Sequence, residues 1–344
     1  MLRIATFNIE NLTFEDRKNN PGVHARQDEL RRVLARLRAD VLCLQEVHAE
    51  NLDGHTEDNP KRELGALNEL LKTTIYENYH PYWTSLPDHE GVPRAKRNLV
   101  ILSRFPFDSC SQYRNKWIDK LMYVPVTEKK AEEAEEGEQP NAMISWERPI
   151  LHATITVDSG KQKHKLHIIN LHLKSRLPSK IKGQIDEEQW WLWRSAAGWA
   201  EGYFLSSIKR VGQALETRVL LDTIFDDEPD AKVLVCGDLN AEPGEVPIEA
   251  ICGRVENTGN PALRKRVMIA CSEMVPESLR FTHLHHGEGN LLDHILVSKP
   301  LLAHLCCVAI HNEGLHDESL PFAVDMKYPE SDHAPFVAVF DLSL

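Results

Sequence analysis

A chain of 344 residues can bury a large core in one domain or two. Apolar residues make up 42% and charged residues 27%, a soluble globular balance, and no run of 18 apolar residues suggests a bilayer span. The net charge of -12 disfavours tight non-specific wrapping of nucleic acid, although a bound cation would reverse the field locally. Taken in chain order, the sequence opens with a strand from Leu2 that closes on Asn8. His24 to Arg38 reads as a helix, with Leu30, Val33, Leu34 and Leu37 at helical spacing. It leads into a strand, Val41 to Glu46. Lys61 to Lys72 reads as a second helix, and Asn98 to Ser103 as a buried strand stopped by Arg104-Phe105-Pro106. Residues 128–138 hold six glutamates and two lysines and read as a solvated acidic excursion. Strands resume at Ile150 to Val157 and Lys165 to His172, joined by a turn at Asp158-Ser159-Gly160. Residues 186–226 read as helical, broken or bent at Gly198, Gly202 and Gly212, and the part near 186–204 is an aromatic-rich insertion. Further strands surround Asp238, Asp293 and Val337.

The informative feature is where polar residues fall. Asn8, Glu46, His172, Asp238 and Asn240 end strand patterns, Asp293 begins one, and Asp332-His333 precedes another. A carboxylate beside an apolar strand loses solvation, which is costly unless it is paired or binds a cation. Several such ends meeting would form a nest for a divalent ion, with histidines to hold or move protons. Asn8, Glu10, Glu46 and Asp332 carry the hard oxygens that Mg²⁺ takes, with Mn²⁺ a substitute, and no thiolate cluster favours zinc. Asp238 and Asn240, two apart, would share a face of a regular strand, one accepting a proton from water and the other holding it. Asp293 is placed to fix the tautomer of His333, and His172 to donate to a phosphate oxygen. Taken singly, each is more often a turn former, a cap or a satisfied histidine. The seven cysteines include no CxxC pair and read as reduced thiols in or near the core.

The blocks Thr6-Phe7-Asn8-Ile9-Glu10, Leu44-Gln45-Glu46, Asn170-Leu171-His172, Gly237-Asp238-Leu239-Asn240, Leu292-Asp293-His294 and Ser331-Asp332-His333 occur in the order of the endonuclease/exonuclease/phosphatase superfamily, which the chain resembles over nearly its whole length. The resemblance implies an α+β four-layer sandwich, two mixed β-sheets packed face to face with flanking helices, in a single domain over 1–344. It implies divalent-metal hydrolysis of a phosphoester. Glu46 would be the principal metal ligand, with Asn8, Glu10 and Asp332 beside it. Asp238, Asn240, His172, Asp293 and His333 would be the catalytic set, with the general base open between Asp238 and His333. Two departures stand out: His294 follows Asp293 where many members have an aromatic residue, and the acid partner of His172 has only Glu90 as a candidate.

Lys174, Arg176, Lys180 and Lys182 follow His172 without an intervening acid, and Lys174 and Arg176 are the expected phosphate contacts. The aromatic run, Trp190 to Phe204, reads first as packing, with a base-stacking platform or lipid-contacting patch as alternatives. His283, His285 and His286 fall in a turn, and no ligand pair for zinc is visible there. A nuclease or related phosphodiesterase is the leading reading, its partner a phosphoester substrate with nucleic acid among the candidates. A phosphomonoesterase or sphingomyelinase-like phospholipase is the first alternative, a non-catalytic phosphate-binding protein the second. The N-terminus lacks a leader pattern, so a cytoplasmic location is expected, and no obligate protein partner is evident.

Overall fold

The computed structural model describes residues 1–16, 21–127, 142–186, 188–189, 191–320 and 327–343. The acidic run at 128–138 and Trp190 lie outside the described residues. Twelve strands build the two main sheets. In chain order they are β1 (Leu2–Leu12), β2 (Val41–Val47), β3 (His80–Trp83), β4 (Asn98–Ser103), β5 (Phe107–Tyr113), β6 (Ile150–Asp158), β7 (Lys163–His172), β8 (Lys232–Asp238), β9 (Met268–Ala270), β10 (Asp293–Ser298), β11 (Leu305–Ile310) and β12 (Phe336–Phe340). One sheet has the order β11-β12-β1-β2-β4-β3, the other β9-β10-β8-β7-β6-β5. Each has one parallel pair near its centre, β1 with β2 and β7 with β8, and is otherwise antiparallel. A parallel pair needs a crossover. The helices α1 (Val23–Leu37) and α3 (Ala196–Asp227) lie in those two connections, while α2 (Gly65–Leu71) and α4 (Val246–Cys252) complete the main helices.

The two sheets pack face to face. Ile4, Cys43 and Ile101 of the first share one buried cluster with Ile168, Leu234, Cys236 and Val297 of the second. The outer face of the first sheet, with Ala5, Phe7, Leu42 and Leu44, packs on Leu30, Leu34, Leu67 and Leu70 from α1 and α2. The outer face of the second, with Ile169, Leu171, Val233 and Val235, packs on Leu221, Ile224, Ile248 and Ile251 from α3 and α4. The architecture is thus an α+β sandwich of four layers.

Some local expectations change. The second helix is shorter than its apolar stripe suggested, because Arg62–Glu63 forms a short strand with Glu50–Asn51. Helix α3 runs unbroken for 32 residues, and its start is Ala196 rather than 186. Its glycines do not end it; they permit close packing. A Cβ at Gly202 would lie 2.4 Å from the Ser179 carbonyl, and one at Gly212 would lie 2.6 Å from the Trp146 ring. Trp191, Trp199, Tyr203 and Phe204 are exposed and lie outside this chain's core, whereas Trp193 is half-buried against Ile144, Ile181 and Leu205. All seven cysteines are free; four are buried, but Cys110, Cys306 and Cys307 are exposed.

Candidate active site

Strand alternation explains how the polar ends meet. Successive side chains point to opposite faces, so residues two apart share one. Along β1, Leu2 and Ile4 face the opposing sheet within the central core, and Thr6 and Asn8 continue that row. Along β7 the row runs Leu166, Ile168, Asn170, His172; along β8 it runs Leu234, Cys236, Asp238. Each inner row therefore changes from apolar to polar toward the same end of the sandwich. The change begins with a buried bridge between the sheets: Gln45 Nε2 donates to Asn170 Oδ1 (2.7 Å) and to Thr6 Oγ1 (3.0 Å). Asn170 Nδ2 in turn reaches the carbonyls of Leu44 and Val100, both at 3.0 Å. A satisfied buried network of this kind fixes the register of one sheet on the other.

Glu46 is brought in by a bulge. By parity it should face α1, as Leu42 and Leu44 do. Instead its φ is 63°, the pairing of β2 with β4 shifts between Leu44 and Val47, and Val47 joins the outer core. The carboxylate turns inward, where its Oε1 lies 3.7 Å from His172 Nε2. Glu10 and Asn11, with φ of 52° and 46°, form a similar irregularity at the end of β1. Such left-handed residues are costly and cluster at functional sites. Gly237, at φ 132°, leaves no room for a side chain, since a Cβ would sit 1.9 Å from the Leu171 carbonyl oxygen.

Asp238 is the hub. Its Oδ2 accepts from Asn8 Nδ2 (3.1 Å) and Asn240 Nδ2 (3.0 Å) and lies 3.2 Å from His172 Nε2, while its Oδ1 accepts from the Asn240 backbone N–H (2.9 Å). Burial pushes the carboxyl up, but the His172 imidazole and these hydrogen bonds win and hold it far below the ordinary carboxylate range. Burial likewise opposes the charge on Glu46, and His172 and Arg97 overcome it, so its pKa is lowered. His172 itself is lowered, by burial first and then by Arg148.

A second pair sits beside the first. His333 Nδ1 lies 2.6 Å from Asp293 Oδ2, and donor atoms of Asp238, Asp293 and His333 lie within 4.8 Å of one another. Burial would lower the imidazole, but Asp293 raises it well above the ordinary histidine value. Thr282 Oγ1 anchors the start of β10 by accepting from the backbone of Leu292 and Asp293. Ser331 ties the segment carrying Asp332-His333 to β1, donating to the Asn8 carbonyl at 2.7 Å. Asp332 is raised well above the ordinary carboxylate value by burial and by the charges of Glu10, Glu46 and Glu318. Its backbone N–H donates to Glu10 Oε2 at 3.2 Å. Arg26, buried on α1, lies beneath, donating to the carbonyls of Ile9, Glu10 and Pro329.

The structure therefore brings Asn8, Glu10, Glu46, His172, Asp238, Asn240, Asp293, Asp332 and His333 into one cluster, although they span residues 8 to 333. Lys174 follows His172 by two residues; its ammonium donates to Ser175 Oγ (3.0 Å) and the Leu177 carbonyl (3.3 Å) and is lowered to about 8 by burial and by the nearby Arg148, Lys209 and Arg97 against the opposing pull of Glu147. Arg176 is turned elsewhere: its guanidinium meets Glu242 (3.2 Å) and Glu245 (2.7 Å), so most of its charge is already engaged. Glu90 is exposed and is not the partner of His172, whose carboxylate neighbours are Glu46 and Asp238. His294 is a buried histidine whose Nε2 lies 2.8 Å from the Ala241 carbonyl oxygen. Two cations escaped the sequence reading. Exposed Arg97 has its Nε 3.9 Å from Glu46 Oε1, and buried Arg148 donates to the Leu173 carbonyl at 2.9 Å. Both stand just before strands, those from Asn98 and Ile150, but as cations they fall outside a pattern of carboxylates, amides and histidines.

Two models described as the Endonuclease/Exonuclease/phosphatase family match residues 5–132 and 152–309. No curated protein matches by sequence. Among solved structures, a truncated TDP2 from Caenorhabditis elegans is 16% identical, with 98% of this chain and 96% of that one covered, at a TM-score of 0.55. An AP endonuclease from Archaeoglobus fulgidus is also 16% identical, over 99% of this chain and 100% of that one, at 0.51. An endonuclease/exonuclease/phosphatase family protein from Leptotrichia buccalis C-1013-b is 14% identical over 99% of both, at 0.53. At these identities the likeness speaks for the fold. With the family models, it follows that this chain belongs to the endonuclease/exonuclease/phosphatase family of phosphoester hydrolases.

Proposed function

We propose that the chain is a divalent-metal-dependent phosphodiesterase, a nuclease or an enzyme acting on a related diester. The observation that carries this reading is Asp238, which gathers Asn8, Asn240 and His172 around one carboxylate beside Glu46. Glu46, Glu10, Asp332 and the Asn8 amide would hold the cation. They fit it: the donors are hard oxygens, and Asp332 Oδ1 is buried without a hydrogen-bond partner. Mg²⁺, with Mn²⁺ as substitute, would supply charge neutralisation at the phosphate and leaving oxygen. The chain's own groups do the rest. Asp238, kept ionised, accepts the proton of the attacking water; Asn240 holds that water or a phosphate oxygen; His172 donates to a non-bridging oxygen. His333, oriented and kept protonated by Asp293, offers positive charge and a proton rather than acting as the base. Such proton transfers contribute about 10²–10⁴-fold. Lys174, with Arg97 and Arg148 nearby, attracts an anionic substrate to the site of an acidic protein. The site draws on residues 8 to 333, which supports treating 1–344 as one domain.

Exposed Leu177, Trp191, Trp199, Tyr203 and Phe204 favour a second reading, a lipid-linked phosphoester reached at a membrane surface. No described helix is long and apolar enough to cross a membrane. The cytoplasmic location expected from the sequence belongs to this proposal and is checked by fractionation. The test is a substrate panel of plasmid, single-stranded DNA, RNA, bis-p-nitrophenyl phosphate, p-nitrophenyl phosphate and sphingomyelin vesicles, each with Mg²⁺, Mn²⁺ or chelator. Metal-dependent cleavage of the diesters supports the first reading, and turnover confined to vesicles the second. Turnover of the monoester alone, or of nothing, contradicts both.

A further inference from the structure

His283 lies against the catalytic histidine. The His283 and His333 rings are 5.4 Å apart, and their backbones form an isolated antiparallel bridge. The short strand His283–His285 pairs with Glu288–Asn290 as a hairpin, and the segment after it folds back so that Glu318 N–H donates to the Leu284 carbonyl. This return places Glu318 Oε2 3.0 Å from His283 Nε2 and 3.2 Å from His285 Nδ1. Asp332 closes the group: donor atoms of His283, Glu318 and Asp332 lie within 4.8 Å of one another.

We infer that His283, Glu318 and Asp332, with His285 against Glu318, form a binding site for a borderline transition ion of the Zn²⁺ class, adjoining the oxygen-lined Glu46 side through Asp332. The donor chemistry separates the two. An imidazole with two carboxylates, and a second imidazole on Glu318, suits Zn²⁺ or Co²⁺, whereas Mg²⁺ takes oxygen. The spacing fits as well. Tetrahedral bonds of 2.0–2.2 Å put neighbouring donors about 3.3 Å apart, and the contacts to Glu318 are close to that. A second observation points the same way: Asp332 Oδ1 is buried with no hydrogen-bond partner, surrounded by the charges of Glu10, Glu46 and Glu318. The histidine spacing alone did not reveal the set, because its carboxylates come from residues 318 and 332. An ion held there would set positive charge next to His333 and draw Asp332 partly away from the Glu46 side. Zn²⁺ would then modulate the site differently from Mg²⁺.

The inference stands apart from the hydrolase reading, because binding can be measured without turnover. Metal-free chain is titrated with Co²⁺ under excess Mg²⁺, following the visible absorption of low-coordinate Co²⁺ and the binding heat. The expected result is one site per chain with the visible band. Glu46→Gln should retain it, and His283→Ala and Glu318→Gln should each weaken it by about tenfold or more. His285→Ala, at a more exposed position, guards against loss by misfolding and should alter the band shape. A wild-type chain with no Co²⁺ band overturns the inference. So does a band that survives His283→Ala combined with Glu318→Gln, or one lost in Glu46→Gln.

Discussion

Replacing Asp293 by Asn tests the His333 pair in isolation. The side chain is fully buried, and its backbone contacts with Thr282 do not depend on the carboxylate, so the amide occupies the same volume. What changes is the 2.6 Å contact to His333 Nδ1, which loses its anionic acceptor. A charged hydrogen bond is worth about 1.5–3 kcal/mol and a neutral one about 0.5–1.5, so roughly 1–1.5 kcal/mol of imidazolium stabilisation is lost. At 1.36 kcal/mol per unit, the His333 pKa should fall by about one unit. Turnover on bis-p-nitrophenyl phosphate should drop by on the order of 10²-fold. Histidine resonances followed by NMR through the titration, with kcat measured on the same samples, check both. An unchanged His333 titration in Asp293→Asn would refute the assignment of the raised imidazole to this carboxylate, whatever the rate does.

Other outcomes follow from single contacts. Gly237→Ala should destabilise the fold by about 3 kcal/mol or more, because a methyl group cannot fit against the Leu171 carbonyl at the left-handed end of β8; chemical denaturation measures it. With Lys174 titrating at about 8, its positive charge is present below that pH and lost above it. KM for an anionic diester should therefore rise between pH 8 and 9; Lys174→Arg should flatten that rise, and an identical profile in both proteins would exclude Lys174 from substrate attraction. Asn170→Leu removes the amide linking Gln45 to the Leu44 and Val100 carbonyls, leaving buried polar groups unpaired at about 1–3 kcal/mol each. The denaturation midpoint should fall, and activity should fall with it as the sheets lose register.

The site was legible where chemistry and periodicity coincide. Asn8, His172 and Asp238 follow, and Asp293 precedes, the apolar residues of inner rows that declared which face was buried. Glu46 was found by its place at a strand end, but alternation alone would have sent it to the helix side; the bulge that rescues it has no sequence signature here. Arg97, Arg148 and Glu318 were missed for a related reason. Their positions depend on loops folding back, and a lone charged residue in a loop reads the same whether it faces solvent or the site. Arg176 shows the converse, since a basic residue close to the chemistry in sequence is claimed by Glu242 and Glu245 in space. Helix α3 illustrates how glycine misleads: Gly202 and Gly212 suggested breaks, yet they answer to the Ser179 carbonyl and the Trp146 ring across the interface.

In the proposed function Asp238 and Glu46 act on the same phosphoester. The most direct measurement is single-turnover cleavage of a labelled oligonucleotide across a Mg²⁺ titration by the wild-type protein, Asp238→Asn and Glu46→Gln. Asp238→Asn should lose on the order of 10²-fold or more in the saturated rate with its Mg²⁺ midpoint little changed, while Glu46→Gln should shift the midpoint to higher Mg²⁺. Wild-type rates and midpoints in both variants would contradict the central claim.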